Sequence, residues 1–153
     1  RVWKGLGIAS YSAGRHDEAI RCFKRGIEAN EEDTESWINL CGLQIMRGKH
    51  QEALAETTRA LQVKGNVIPL VHLHALALVG VGRWQTAMGV WQQVLESVPT
   101  HRDSNLSLAE IYFQLGKPQQ AIKHLQIAEK SGPLPAAFIT MKQQMHSQLA
   151  SLP

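Results

Sequence analysis

The sequence has little of several features that would mark a specialised protein class. Its two cysteines, Cys22 and Cys41, cannot form a disulfide framework, and their spacing matches no zinc-binding pattern. Sixteen basic against thirteen acidic residues leave a formal charge of only +3, and the basic side chains are interleaved with acidic ones. Nucleic-acid binding normally requires a cluster of positive charge. We therefore expect neither a structural metal nor a nucleic-acid partner.

A long hydrophobic run is also missing. No Asp, Glu, Lys or Arg stands between Gly65 and Gly82, but Pro69, His72 and His74 interrupt this stretch. A membrane-spanning helix needs about twenty predominantly apolar residues, so the stretch predicts a buried helix and no membrane insertion. A secretory signal consists of a charged segment followed by an apolar one. No such leader precedes the first helical pattern. With so few cysteines, we expect a cytoplasmic location.

What is present is a repeat. The 153 residues, 44% of them apolar and 19% charged, have the length and composition of a soluble globular chain. Glycine recurs at an offset of 34 residues, at Gly14, Gly48, Gly82 and Gly116. Alanine follows each glycine by five residues, at Ala19, Ala53, Ala87 and Ala121. Self-similarity at a fixed period of this length is typical of stacked repeat architectures.

One repeat unit predicts two helices joined by a turn. Trp3, Leu6 and Ser10 share one face of a first helix, which Gly14 ends because glycine adopts a positive φ without strain. A second apolar stripe follows, formed by Ala19, Ile20, Phe23, Gly26 and Ile27. Ala19 and Gly26 are small, which allows two helices to approach closely. Such a hairpin buries its apolar faces only by stacking on its neighbours.

The chain resembles the tetratricopeptide repeat family, whose 34-residue pattern places Trp, Leu, Gly, Tyr, Ala, Phe and Pro at set positions. The matching residues, window by window, are Trp3, Leu6, Gly7, Gly14, Ala19 and Phe23; Trp37, Leu40, Gly48, Ala53 and Ala60; Gly82, Ala87, Trp91 and Pro99; and Leu108, Tyr112, Gly116, Ala121, Ala128 and Pro133. The resemblance implies an all-α fold, a right-handed superhelix of stacked helix–turn–helix repeats (an α-solenoid) without strands. We predict repeats at residues 1–33, 34–67, 68–101 and 102–134.

Residues 135–153 leave the repeat phase and predict a capping helix. Its apolar stripe, at helical spacing, consists of Phe138, Met141, Met145, Leu149 and Leu152. No comparable cap precedes Trp3. We therefore expect a single domain cut from a longer chain, and we regard its N-terminal face as a candidate surface for self-association.

The sequence contains no complete catalytic or cofactor-binding motif. Gly42 and the Gly48–Lys49 pair are spaced by five residues where a phosphate-binding loop has four, and the repeat accounts for both glycines. His72 and His74 are two apart on a helix and cannot chelate one ion together. Asn105 begins a glycosylation sequon, but it lies inside a predicted helix. We expect no enzyme activity and no cofactor.

In the family that the chain resembles, first helices line a concave face where ligand peptides lie. The positions predicted to face this groove are Lys4, Ile8, Tyr11, Ile38, Asn39, Ile45, Met46, His72, Leu73, Leu76, Leu106, Glu110, Phe113 and Gln114, with Gly42 among them. Chaperone-binding members use a five-residue carboxylate clamp. Lys4 and Asn39 match two of its positions, but Ile8, Pro69 and Leu73 occupy the other three, so no such clamp is expected.

The function predicted from these patterns is a protein-interaction scaffold. Its groove would bind an apolar peptide or an amphipathic helix. Two alternatives remain: a partner- or substrate-presenting arm of a larger enzyme, such as a glycosyl- or sulfotransferase, and a helical-repeat RNA binder.

Overall fold

A computed structural model describes residues 2–152. Over this range the chain forms nine α-helices and no β-strand, which confirms the predicted all-α helical-repeat fold. The helices are α1 Val2–Ser12, α2 His16–Ala29, α3 Thr34–Met46, α4 His50–Lys64, α5 Ile68–Gly80, α6 Trp84–Ser97, α7 Arg102–Gln114, α8 Pro118–Glu129 and α9 Ala136–Ala150. No helix in the described range is long and apolar enough to cross a membrane. The repeat boundaries within this series remain predictions.

The four periodic glycines form the same turn each time. Gly14, Gly48, Gly82 and Gly116 have φ values of 78°, 75°, 86° and 72°, in the left-handed region that favours glycine. The next residue then donates its backbone N–H to a carbonyl five residues back, as Lys49 does to Gln44 at 2.8 Å and Arg83 to Leu78 at 2.8 Å. This is the hydrogen bond of a Schellman cap. The prediction that Gly48 and Gly82 lie in turns is confirmed.

The chain divides into two compact units between Ala87 and Met88. In the first unit, α1 packs on α2, α2 on α3, α3 on α4, and α5 packs on both α3 and α4. Its core consists of Ala19, Ile20, Phe23, Ile27, Trp37, Leu40, Leu43, Ala60 and Leu70. The indole N–H of the fully buried Trp37 donates to the Glu31 carbonyl oxygen at 2.7 Å.

In the second unit α7 packs on α8, and α9 contacts both of them. The core consists of Leu106, Ala109, Ala121, Ile122, Leu125, Ala128, Leu134 and Met145. Phe138, Met141 and Leu149 of α9 pack against this cluster, so most of the predicted apolar stripe faces the unit's interior. Leu152 was also expected in the stripe, but it lies beyond the end of α9 and is exposed.

The first helix differs from its sequence-based description. We expected Trp3 and Leu6 to pack within the hairpin, but their side chains are 37% and 48% exposed. Trp37 and Leu40, at the equivalent positions of α3, are fully buried. Helix α2 covers the equivalent face of α3, and no helix of the described chain precedes α1. The Arg25 guanidinium lies over the Trp3 ring, 5.5 Å from its centroid.

Candidate functional site

An open apolar cavity lies between α1 and α3. Its volume is about 340 Å³, within the range of sites that hold small ligands or side chains. The lining residues are Ile8 and Tyr11 from α1, Phe23 from α2, and Ile38, Asn39, Gly42, Leu43 and Met46 from α3. Ile8, Tyr11 and Met46 are 45%, 44% and 55% exposed, so the cavity is open to solvent. Six of the predicted groove residues therefore surround one concavity: Ile8, Tyr11, Ile38, Asn39, Gly42 and Met46.

Phe23 and Leu43 belong to the cavity floor, although sequence reasoning assigned Phe23 to the hairpin core. The close approach of α1 to α2 explains the position of this ring. A Cβ on Gly7 would overlap the Phe23 ring, so only glycine allows the ring to lie beneath α1. Phe23 is 3% exposed and serves both the core and the floor. The match of Gly7 to the family pattern was the available signal for this contact.

The polar group of the cavity is Asn39. Its amide Nδ2 is buried and has no hydrogen-bond partner, although a buried amide normally has one. Gly42 lies one helical turn further along α3, and both residues line the cavity. The Tyr11 hydroxyl is directed at the Met46 sulfur, 4.0 Å away. The rest of the cavity lining is largely apolar.

Lys4, which we predicted to face the groove, is paired with two carboxylates of the chain. Its Nζ lies 3.1 Å from Glu35 Oε2 and 3.4 Å from Asp33 Oδ2, and it is not among the cavity-lining residues. The hydrogen bond to Glu35 raises the pKa of Lys4 despite the opposing effect of desolvation. Desolvation would raise the pKa of Asp33, but hydrogen bonds from Ser36 and Lys4 hold it below its ordinary value. The residues that line the cavity are all uncharged.

Other predicted groove residues of the first unit lie outside this cavity. Ile45 of α3 and His72, Leu73 and Leu76 of α5 are half-buried, and none of them lines it. Helix α5 packs against α3 and α4 through its fully buried face, which carries Leu70, Ala75, Ala77 and Leu78. That these four positions face the groove remains a prediction.

Leu106 corrects the predicted site in the second unit. It was expected to face the groove, but it is 9% exposed and packs in the core cluster with Ala109 and Leu125. Phe113 is half-buried and packs against the same cluster, whereas Glu110 and Gln114 are exposed. Helical periodicity alone placed these four residues on one side, but it cannot tell which part of that side neighbouring helices cover.

The remaining reactive side chains lie in structural positions. Burial, with a smaller contribution from Glu56, raises the pKa of the Cys41 thiol to about 12, so it remains protonated at neutral pH. Asn105 of the sequon is fully buried, and its amide donates to the carbonyl oxygens of Pro99 and His101. Between residues 2 and 152, no three His, Cys, Asp or Glu side chains are grouped so as to hold a metal ion.

Two family models match the chain, and both describe the tetratricopeptide repeat. One covers residues 1–33 and the other residues 72–135, and neither range overlaps the other. Together they include α1, α2 and most of α5 through α8.

Curated relatives are much longer than this chain. Anaphase-promoting complex subunit 3 of Schizosaccharomyces pombe is 28% identical over 138 residues, which span 83% of this chain and 19% of that protein. Superkiller complex protein 3 of Mus musculus is 28% identical over 87 residues, which span 57% of this chain and 5% of that protein. The matched relatives thus share only a fraction of their length with it.

Solved structures show the same helical-repeat fold. MamA from Desulfovibrio magneticus RS-1 is 16% identical, with a TM-score of 0.79 over 97% of this chain and 84% of that one. The second repeat domain of human RPAP3, solved in complex with an HSP70 peptide, is 23% identical, with a TM-score of 0.65 over 71% of this chain and 91% of that one.

Proposed function

The chain belongs to the tetratricopeptide repeat family, and from this premise we propose that it is a non-enzymatic protein-interaction scaffold. Its binding site is the cavity between α1 and α3. The observation that carries the proposal is the exposure of Ile8, Tyr11 and Met46 around a concavity with no charged lining residue. Removing apolar surface of this kind from water is favourable by about 25 cal/mol per Å². A partner that covers it therefore gains binding free energy.

Similar proteins support a peptide as the ligand. The human RPAP3 repeat domain was solved with a bound HSP70 peptide. Here Lys4 is paired with Asp33 and Glu35, and Ile8 and Leu73 cannot donate hydrogen bonds to a carboxylate. The proposed ligand is therefore an apolar segment and not an acidic C-terminus.

Binding to this cavity is tested with peptide libraries displayed on phage, one linear and one constrained to be helical. The double substitution of Ile8→Glu with Met46→Glu should abolish capture of the peptides selected on the original protein. Both positions are at least 45% exposed, so the melting temperature should change little. Ala55→Glu with Gln62→Glu adds the same charge to exposed positions of α4 and is the matched control.

Two outcomes would count against the proposal: the absence of any peptide selected from either library, and binding that persists in the Ile8→Glu, Met46→Glu variant. The alternatives predict different behaviour. An RNA binder should lose affinity steeply with salt, whereas an apolar peptide site should not. An enzyme arm would be recognised from a catalytic domain in the full gene.

A further inference from the structure

Met46 is the methionine of this chain that is most open to oxidation. It is 55% exposed, whereas Met145 is fully buried and Met88 and Met141 are half-buried. Peroxides convert methionine to its sulfoxide by attack at the thioether sulfur, so an exposed sulfur reacts before a buried one. A rise in peroxide should therefore modify Met46 before the other three methionines.

The cysteines of the chain are poor competitors for the same oxidant. Cys22 and Cys41 are both buried. Burial, with a smaller contribution from Glu56, raises the pKa of the Cys41 thiol to about 12. Peroxides react with thiolates and not with protonated thiols. The accessible sulfur of the chain is thus the thioether of Met46.

This sulfur faces a hydroxyl group that belongs to another helix. Met46 is the last residue of α3, Tyr11 lies near the end of α1, and both line the cavity between these helices. The Tyr11 hydroxyl donates toward the Met46 Sδ at 4.0 Å. A thioether sulfur is only a weak acceptor, so this contact does little to hold α1 against α3.

Oxidation changes the acceptor that the Tyr11 hydroxyl meets. The lone pair of Met46 Sδ attacks one oxygen of hydrogen peroxide, and an S–O bond forms as the O–O bond breaks. The other oxygen leaves as water after proton transfer, so the sulfur is oxidised and the peroxide is reduced. The product carries a polar oxygen on the sulfur, which accepts a hydrogen bond far better than the thioether does.

We propose that peroxide oxidation of Met46 closes the cavity, because the Tyr11 hydroxyl then donates to the sulfoxide oxygen and ties α1 to α3. This inference rests on the proposed function and adds its regulation. A ligand is excluded because the two exposed side chains are joined across the cavity, and because an apolar ligand would have to desolvate the new polar group. Methionine sulfoxide reductases restore the thioether, so the closure is reversible.

The first measurement locates the oxidation. The full chain is titrated with hydrogen peroxide, and peptide mass spectrometry follows the addition of oxygen at each methionine. Met46 should be oxidised first, while Met145 stays reduced under the same conditions. A mixture of the two reductases, one for each sulfoxide epimer, should reverse the change. Oxidation of Met88 or Met141 before Met46 would overturn the inference.

The second measurement detects the link between the helices without any ligand. Hydrogen exchange of the α1 amides should slow about three- to tenfold on oxidation, because one hydrogen bond is gained. Tyr11→Phe keeps the ring but lacks the donor, so oxidation should leave its α1 exchange unchanged. Met46→Leu is the matched control, since it keeps an apolar side chain of similar volume that peroxide does not modify. Unchanged α1 exchange in the oxidised original protein would overturn the inference.

The third measurement is the dissociation constant of a synthetic peptide from the phage libraries, chosen to contain no methionine or cysteine. Oxidation should weaken its binding to the original protein at least about tenfold. The loss should be smaller for Tyr11→Phe and absent for Met46→Leu, each compared with its own untreated form. An equal loss for Tyr11→Phe and the original protein would overturn the inference, since the polarity of the sulfoxide would then suffice.

The proposed function fails separately. If neither library yields a peptide, the proposed function is refuted, whereas the mass and exchange measurements still report whether Met46 and Tyr11 link the two helices. A peptide that binds the original protein equally well before and after complete oxidation of Met46 would refute the regulation and leave the proposed function intact.

Discussion

The ring of His50 lies directly against the backbone of Gly80. His50 begins α4 and Gly80 ends α5, and a Cβ on Gly80 would collide with the imidazole Cγ and Nδ1 and with the His50 Cβ. These atoms sit close to the backbone of α4 and cannot swing away. The two residues together determine how closely the end of α5 approaches the start of α4.

Gly80→Ala should therefore destabilise the protein, although alanine favours helices. Overpacking at such a contact costs about 1–3 kcal/mol, more than the gain of up to about 1 kcal/mol in helix propensity. Urea unfolding checks the sign. Adding His50→Ala should restore part of the loss, because it removes the colliding ring but keeps the His50 Cβ, 2.7 Å from the added methyl group. A Gly80→Ala protein more stable than the original would contradict the contact.

Arg102 should hold the loop between α8 and α9. Its guanidinium donates to the carbonyl oxygens of Ala128 at 2.7 Å, Gly132 at 3.1 Å and Pro133 at 2.5 Å. Arg102→Ala removes these three hydrogen bonds, although the Ala128 oxygen still accepts from the Ser131 N–H and hydroxyl, and we expect a loss of about 2 kcal/mol in unfolding free energy. Arg102→Lys should recover only part of it, since one ammonium cannot reproduce the planar fork.

Hydrogen exchange would localise this effect. Backbone amides near Leu134 should lose protection in Arg102→Ala, while those of the first unit stay as they were. Equal stability of the alanine, lysine and original proteins would show that the three hydrogen bonds contribute nothing net.

Helix α9 should depend on Met145. This side chain is fully buried in the core of the second unit. Met145→Asp places a carboxylate among apolar groups and should cost several kcal/mol, measured by thermal or urea unfolding. Gln144→Asp introduces the same charge at an exposed neighbouring position and is the control. An unchanged unfolding midpoint for Met145→Asp would mean that α9 does not pack as described.

Two histidines bond to buried neighbours in a neutral form. His74 Nδ1 lies 2.9 Å from the Thr57 hydroxyl, which also lies 3.1 Å from the Leu54 carbonyl oxygen. His124 Nδ1 lies 2.8 Å from Asn105 Oδ1, to which it donates. Burial lowers the pKa of both rings, with a smaller contribution from Arg83 at His74.

These shifts predict lower stability in mild acid. In the unfolded chain histidine protonates near its ordinary pKa of about 6.5, whereas the folded rings resist protonation. The unfolded state then binds more protons. The unfolding free energy should therefore fall as the pH drops below about 6.5, and it should keep its full value above that pH. His74→Gln with His124→Gln should flatten this dependence between pH 7 and 5. His146→Gln, at an exposed position, is the control substitution.

Leu73 and Leu76 test how far the binding surface extends along the first unit. We expect Leu73→Glu with Leu76→Glu to abolish binding of the selected peptide and to shift the melting temperature only slightly. Both side chains are half-buried, while the buried face of α5 runs through Leu70 and Leu78. Binding that persists would confine the site to the cavity between α1 and α3.

The sequence alone was sufficient for local features. Helices, their number and their turns could be predicted, because a positive φ at Gly48 or Gly82 and an apolar stripe at helical spacing depend only on neighbouring residues. Within α3, helical spacing alone places Ile38 and Met46 on one side, and both line the cavity, whereas their role in binding remains a prediction.

Only the tertiary structure decided which of these faces are covered. Trp3 and Trp37 occupy the same place in the repeat, yet Trp3 is 37% exposed and Trp37, on the helix against which α2 packs, is fully buried. Lys4 is neutralised by Asp33 and Glu35, which lie about thirty residues away along the chain. The cavity over Gly42 likewise exists only where α1 and α3 come together. Burial and charge pairing depend on residues distant in sequence, and one helix's own pattern does not contain them.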